Sequence, residues 1–200
     1  GEGASKMRKS SAKRVTTETN VAIEINLDGT GISNIDTGIG FLDHMLILFT
    51  SHGQFDLSIE CIGDTFVDSH HTAEDIEIVL GKAFSQALGD RRGINRYGSI
   101  TLPMDESLAM VNVDISGRPY LHYNIGKLPA SLGQMDSQSF EEFFRGFVNH
   151  CQATIHINLL YGRNGHHIME CVFKALGRAL GQAVSYSGID KIPSTKGLLD

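Results

Sequence analysis

The sequence predicts an α+β fold made by tandem duplication, each half reading strand, strand, helix, strand, helix. Three observations carry this reading. His70-His71-Thr72-Ala73-Glu74 returns as His166-His167-Ile168-Met169-Glu170, and each copy opens an apolar run at helical spacing. Residues 21–29 (VAIEINLDG) align with residues 109–117 (AMVNVDISG) at an offset of 88, and residues 41–52 with 139–150 at 98. The histidine pairs repeat at 96, so the offset drifts only where loops change length, as in a half-domain copied once. The same alignment sets Glu18 against Glu106 and His44 against Glu142.

Taken in order, residues 1–13 are too polar for a core segment and are assigned to a tail outside the fold, with Gly1 to Lys6 ahead of Met7 having the look of a cloning remnant. The first half then spans 14–93 and the second 94–200, as one integrated unit. From Val15 apolar and polar residues alternate as far as Leu27, break at Asp28-Gly29-Thr30-Gly31, and resume from Ile32 to Ile35, which predicts a hairpin. Residues 41–49 are too apolar all round for a surface helix, so they form a buried one that carries His44. Residues 55–61 alternate as a strand, a polar loop follows, and the first His-His helix runs to Gly89, a residue suited to the left-handed turn that ends a helix. Residues 96–102 make a linking strand, after which the order begins again. The tail closes on Pro193-Ser194-Thr195-Lys196-Gly197, a loop with two hydroxyls beside an ammonium.

Composition excludes several classes. A net charge of −6 argues against nucleic acid, whose phosphates demand a basic face. No apolar run approaches the ~20 residues of a membrane span, and no secretory leader opens the chain, so the expectation is a soluble, cytoplasmic protein. Cys61, Cys151 and Cys171 are odd in number and lack C-x-x-C spacing, so they read as reduced thiols rather than as a disulfide framework or a thiolate zinc site.

The chemistry lies in His44, His70, His71, Glu74, Glu142, His166, His167 and Glu170. Imidazole and carboxylate without thiolate suit Mn, Fe or Zn. Any single histidine here is more readily a helix cap or a satisfied core residue, but a repeated pair with a carboxylate in register is a metal motif. Adjacent histidines on a helix point about 100° apart, so each pair should serve two sites. His52 and His150 end their helices and His122 and His156 fall in strands, so these four are read as structural. Among the basic residues, Lys174 lies one turn beyond Glu170 on the same face, while Arg96, Arg118, Ser194, Thr195 and Lys196 together suit a phosphate. Arg91, Arg92 and Lys191 are taken as solvated surface.

Several motifs in fixed order then resemble the imidazoleglycerol-phosphate dehydratase family from about Arg14 to the end: Glu18, Asp43-His44-Met45, HHTAED at 70–75, PMDESL at 103–108, DISGRP at 114–119, HHIMEC at 166–171 and PSTKG at 193–197. The resemblance implies a hydro-lyase of histidine biosynthesis that removes water from D-erythro-imidazole glycerol phosphate to give imidazole acetol phosphate. It also implies a duplicated fold of the ribosomal-protein-S5-domain-2 type, two mixed sheets enclosing the helices. Chains would form trimers that assemble into a homo-oligomeric shell of twenty-four, with active sites at subunit interfaces and two manganese ions (Mn2+) in each. The metal ligands would be the eight His and Glu residues above. Glu18, Glu170 and His44 would be the catalytic positions, and Arg96, Arg118, Lys174, Ser194, Thr195 and Lys196 the phosphate ligands. One departure is Glu142, where many members carry histidine; a carboxylate there remains a competent manganese ligand.

The implied reaction must remove a proton from a carbon not adjacent to a carbonyl. A metal holding the substrate ring as an imidazolate-like anion would let it expel the side-chain hydroxyl through a diazafulvene-like species, and a carboxylate, Glu170 or Glu18, would take the proton before an enol relaxes to the ketone. Two alternatives use the same residues: a dinuclear metallohydrolase acting on a small phosphate ester, and a shell in which metals only bridge subunits. Ketone rather than inorganic phosphate as product distinguishes the first, and any turnover excludes the second. No G-x-x-x-x-G-K loop supports a kinase.

Overall fold

A computed structural model describes residues 7–63 and 69–199. The first half contributes β1 (Lys9–Val15), β2 (Thr19–Asn26), β3 (Ser33–Asp36), α1 (Gly40–Gly53), β4 (Asp56–Gly63) and α2 (Ser69–Leu88). The second contributes β5 (Tyr97–Met104), β6 (Ser107–Asp114), β7 (Tyr120–Asn124), the short β8 (Ser131–Leu132) and β9 (Met135–Asp136), α3 (Gln138–Cys151), β10 (Thr154–Tyr161) and α4 (Gly165–Val184). The two four-stranded sheets have equivalent orders, β1-β2-β4-β3 and β5-β6-β10-β7. In each, one edge strand runs parallel to its neighbour and the other pairings are antiparallel. The duplicated α+β architecture is thus present, each half being the expected unit preceded by one more strand.

That extra strand corrects the reading as tail for residues 9–13, while the part of that reading that covers residues 1–6 lies outside the described residues. Lys9 to Val15 pair with Asn26 to Asn20 along their whole length, because a polar edge strand needs only one apolar neighbour and backbone partners to be held. Its counterpart is β5, so the supposed linker is the first strand of the second half. The hairpin expected through Gly29 is also revised: β4 lies between β2 and β3, and β3 returns parallel to it. Alternation along the chain reveals which face of a strand is buried but not which strand sits beside it.

Register explains the core. Val21, Ile23 and Ile25 face Cys61, Ile59 and Leu57 across the first sheet, and Val111 and Val113 face Ile157 and Ile155 across the second. Each sheet turns this apolar face onto helices, α2 on β1 and β2, α4 on β5 and β6. Helices of opposite halves then meet, α1 on α4 and α2 on α3, around buried Phe49, Phe84, Phe147 and Phe173. The α1–α4 crossing is close enough that a β-carbon on Gly177 would sit 2.4 Å from the Phe49 carbonyl oxygen. This approach brings residues of one half to residues of the other.

Candidate active site

Helix α1 starts at a fixed point because the Asp43 carboxylate accepts from the Thr37 backbone N–H at 2.9 Å and from the Thr37 hydroxyl. His44 follows on the half-exposed side of the helix rather than in the core, a correction to the buried placement expected from its apolar neighbours. Its Nε2 lies 2.7 Å from Oε1 of Glu170 on α4, a pair that spans the two halves. His166, on the same turn as Glu170, meets the Phe41 ring edge-on at 5.0 Å.

A second cross-half pair forms between α2 and α3, where His70 Nδ1 lies 3.4 Å from Glu142 Oε2. Glu74 and Glu77 line the same cleft, of about 420 Å³. Burial, then the charges of Glu74, Glu142 and Asp75, push the Glu77 carboxyl up to about 8. The His71 ring stands edge-on to that of His70, with centroids 6.0 Å apart.

The third cluster surrounds His167. Asn164 caps α4 by accepting from the His167 backbone N–H at 3.1 Å, and the His167 ring presents Nδ1 to Glu106 Oε2 at 2.8 Å. That contact, followed by the Asn164 backbone N–H, holds the Glu106 carboxyl down at about 2, while the same contact raises the imidazole above its ordinary value. Glu18, the repeat counterpart of Glu106, is exposed beside the start of β2, and its carboxylate has no hydrogen-bond or ion-pair partner among the described residues. It hangs next to α2 because neighbouring Thr19 donates its hydroxyl to Asp75, which also takes Arg14 Nε at 2.9 Å.

Away from these clusters, Arg96, Arg118, Ser194, Thr195 and Lys196 line one cleft of about 460 Å³. Arg96 is already engaged: Nε and Nη2 donate to Asp114 at 2.7 and 3.4 Å, and Nη1 donates to the Pro193 carbonyl at 3.0 Å. Lys174 does not line this cleft; its Nζ lies 3.4 Å from the Met104 sulfur. His52, read from the sequence as structural, accepts from Arg178 Nε at 2.9 Å. Burial and the Arg178 and Lys174 charges push it toward the neutral form. Glu106, Asp114 and Glu77 were not singled out as site residues from sequence. The first two stand inside the quoted PMDESL and DISGRP motifs and Glu106 is paired with Glu18 by the repeat, whereas Glu77 carries no signal beyond its place on α2.

The donor chemistry, imidazole with carboxylate, fits a manganese-class ion, but the number falls short within one chain. Among the described residues no group of three or more His, Cys, Asp or Glu side chains converges on a point. Each cross-half pair brings one imidazole and one carboxylate to an accessible face.

The family model for imidazoleglycerol-phosphate dehydratase matches residues 37–180, a span holding every metal-class residue above. The chain belongs to the imidazoleglycerol-phosphate dehydratase family. Relatives with that name include one from Pelobacter propionicus, 54% identical over 96% of this chain and 99% of its own, and one from Clostridioides difficile, 53% identical over 96% and 100%. Among solved structures, the dehydratase of Staphylococcus aureus superposes with a TM-score of 0.78 at 43% identity, covering 89% of this chain and 100% of that one. That of Pyrococcus furiosus in complex with (S)-C348 superposes at 0.79 with 36% identity, covering 94% and 99%. The two-sheet duplication is therefore the architecture of imidazoleglycerol-phosphate dehydratases, and Glu18, His44 and Lys196 sit on it.

Proposed function

We propose that this chain is a manganese-dependent hydro-lyase of histidine biosynthesis, acting in the cytoplasm on D-erythro-imidazole glycerol phosphate and releasing imidazole acetol phosphate. Family membership carries the dehydration itself and removes the metallohydrolase reading. What supports the metal and the assembly is the pair of half-filled coordination spheres, His44 with Glu170 and His70 with Glu142. With His71, Glu74, His166 and His167 beside them, they are completed when a second copy presents its own His-His helix, as in a shell of twenty-four built from trimers. Ile47, one turn beyond His44 on α1, is 41% exposed, and Ile62, Tyr97 and Tyr120 are more so, apolar surface that such contacts would cover. No helix among the described residues is long and apolar enough to cross a membrane.

Manganese held by these His and Glu side chains would supply positive charge to stabilise an anionic substrate imidazole and to polarise a side-chain hydroxyl. The remaining work falls to side chains. Arg118, Ser194, Thr195 and Lys196 hold the phosphate, with Arg96 fixing the loop that carries three of them, and this remote grip orients the reacting carbon. Glu170 is largely shielded and paired with His44, which fits a ligand. Glu18 is exposed and its carboxylate has no partner among the described residues, which fits the base that takes the carbon-bound proton. That proton and the departing hydroxide together make the water released, and the enol left behind takes a proton at carbon and gives up its hydroxyl proton to become the ketone.

The decisive experiment gives metal-free protein the phosphorylated imidazole diol with and without manganese. Ketone should appear only with the metal, and release of inorganic phosphate instead would overturn the assignment. Glu18→Gln should stay metal-replete and lose at least about 10²-fold in kcat, whereas Glu170→Gln should lose manganese. The reverse pattern would exchange their roles.

A further inference from the structure

We propose that Glu106 is a positioning residue that selects the tautomer of His167, placing the ring proton on Nδ1 and leaving Nε2 as the lone-pair nitrogen a metal ion can use. The inference rests on the metal-site reading above and adds to it a residue with no role there. A carboxylate can only accept, so the 2.8 Å contact between Glu106 Oε2 and His167 Nδ1 requires the proton to sit on that nitrogen. The carboxylate is itself immobilised. Its other oxygen accepts from the backbone N–H of Asn164 at 2.7 Å and of Arg163 at 3.3 Å, and from the Ser107 hydroxyl at 3.3 Å. Asn164 in turn holds the His167 backbone N–H, so ring and main chain are fixed from one direction. On the far side, Asp105 Oδ2 stands 3.7 Å from Nε2, beyond hydrogen-bond range, so that nitrogen has no hydrogen-bond partner among the described residues.

The duplication supplies an internal comparison. Glu18 and His71 are the repeat counterparts of Glu106 and His167, yet no hydrogen bond or ion pair joins them among the described residues, where Glu18 is bonded only through its backbone N–H to Thr16. One carboxylate ancestor has therefore become two residues, Glu106 bound to an imidazole and Glu18 left free. Orientation of a metal-binding imidazole through its second nitrogen is a common device, and losing such a partner typically weakens metal affinity about 10- to 100-fold.

Two substitutions separate tautomer selection from mere bracing of the turn. In Glu106→Gln the amide oxygen must stay on the two backbone N–H groups, which turns the amide NH2 toward Nδ1. His167 then has to accept there and carry its proton on Nε2. Glu106→Ala removes the brace but leaves Nδ1 to water and both tautomers accessible. Manganese titrations of the metal-stripped full chain, read by the EPR signal of free Mn2+, should show Glu106→Ala weakened about 10-fold and Glu106→Gln about 100-fold at one class of site. Glu18→Gln should stay within about twofold of wild type. Thermal midpoints of the metal-free proteins report whether each variant folds. Glu106→Gln binding as tightly as Glu106→Ala, or tighter, would overturn tautomer selection, as would an equal loss in Glu18→Gln, which would mark a general charge effect. Wild type that takes up no manganese would instead overturn the metal-site reading, and this inference with it.

Discussion

Asp114→Asn tests whether the Arg96 guanidinium acts on the substrate or on the loop that grips it. Asp114 and Arg96 form a two-pronged contact at 2.7 and 3.4 Å, with side chains only 21% and 15% exposed, and the Asp114 charge holds the guanidinium firmly cationic. Arg96 then passes this constraint to the Pro193 carbonyl at 3.0 Å, the one hydrogen bond from the body of the protein to residues 193–197 among the described residues. The asparagine keeps the size and can accept one neutral hydrogen bond, so about 1.5–3 kcal/mol of charge-assisted bonding is lost. If the loop is held by this chain of contacts, the loss emerges as weaker phosphate binding, about 10- to 100-fold in KM at a tenfold change per 1.4 kcal/mol. The expected kcat changes less than about threefold, because the reacting atoms are elsewhere. Steady-state kinetics with the phosphorylated imidazole diol, repeated with inorganic phosphate as competitor, should show the same loss in both constants at unchanged manganese content. An unchanged or lower KM would refute the reasoning: Asp114 would then have been restraining a guanidinium that binds phosphate directly.

Two further outcomes concern stability. Glu77 is protonated in the folded protein up to about pH 8 but ionises near 4.5 when unfolded, so between those values the unfolded chain binds fewer protons and stability falls as pH rises; in metal-free protein Glu77→Gln should flatten the decline in Tm across that window, and an unaltered slope would refute the assignment. Gly177→Ala places a methyl 2.4 Å from the Phe49 carbonyl, and since backbone cannot yield as a side chain does, we expect about 2–3 kcal/mol of destabilisation in urea unfolding despite alanine's better helix propensity; a gain in stability would mean that α1 and α4 can separate freely.

The repeat was legible because its evidence is local: the histidine pairs, the alternating strands and the terminal glycine at 89 all depend on neighbours in sequence. Both His-His motifs do open helices, and the offset alignment did pair the two sheets correctly. What failed depends on the third dimension. Polar Lys9 to Val15 carry no burial signal, yet backbone pairing with β2 makes them a strand. Arg91 reads as surface, yet it is 9% exposed, with Nε and Nη2 lacking hydrogen-bond partners among the described residues. Arg96 shows a related limit: its type suits phosphate and it does line the cleft with Arg118 and Lys196, but its pairing with Asp114, 18 residues away, is visible only in the fold.

Duplication alone would make the two cross-half pairs images of each other, and the residues show why they are not. The repeat image of His44 is Glu142 and that of Glu170 is Glu74, so the image of the His44–Glu170 pair would set two carboxylates against each other. Glu142 instead turns to His70, and Glu74 and Glu77 remain in the same cleft, where their mutual repulsion contributes to keeping Glu77 protonated. A cation arriving there meets more negative charge than one arriving at His44 and Glu170, and it favours loss of the Glu77 proton. Two ions held by one duplicated motif would therefore sit in unequal fields, one suited to tight retention and the other to a ligand that must come and go. If manganese is held as proposed, the same divergence that freed Glu18 while binding Glu106 to His167 would extend to the two ions, and catalysis would reside where the copies differ rather than where they agree.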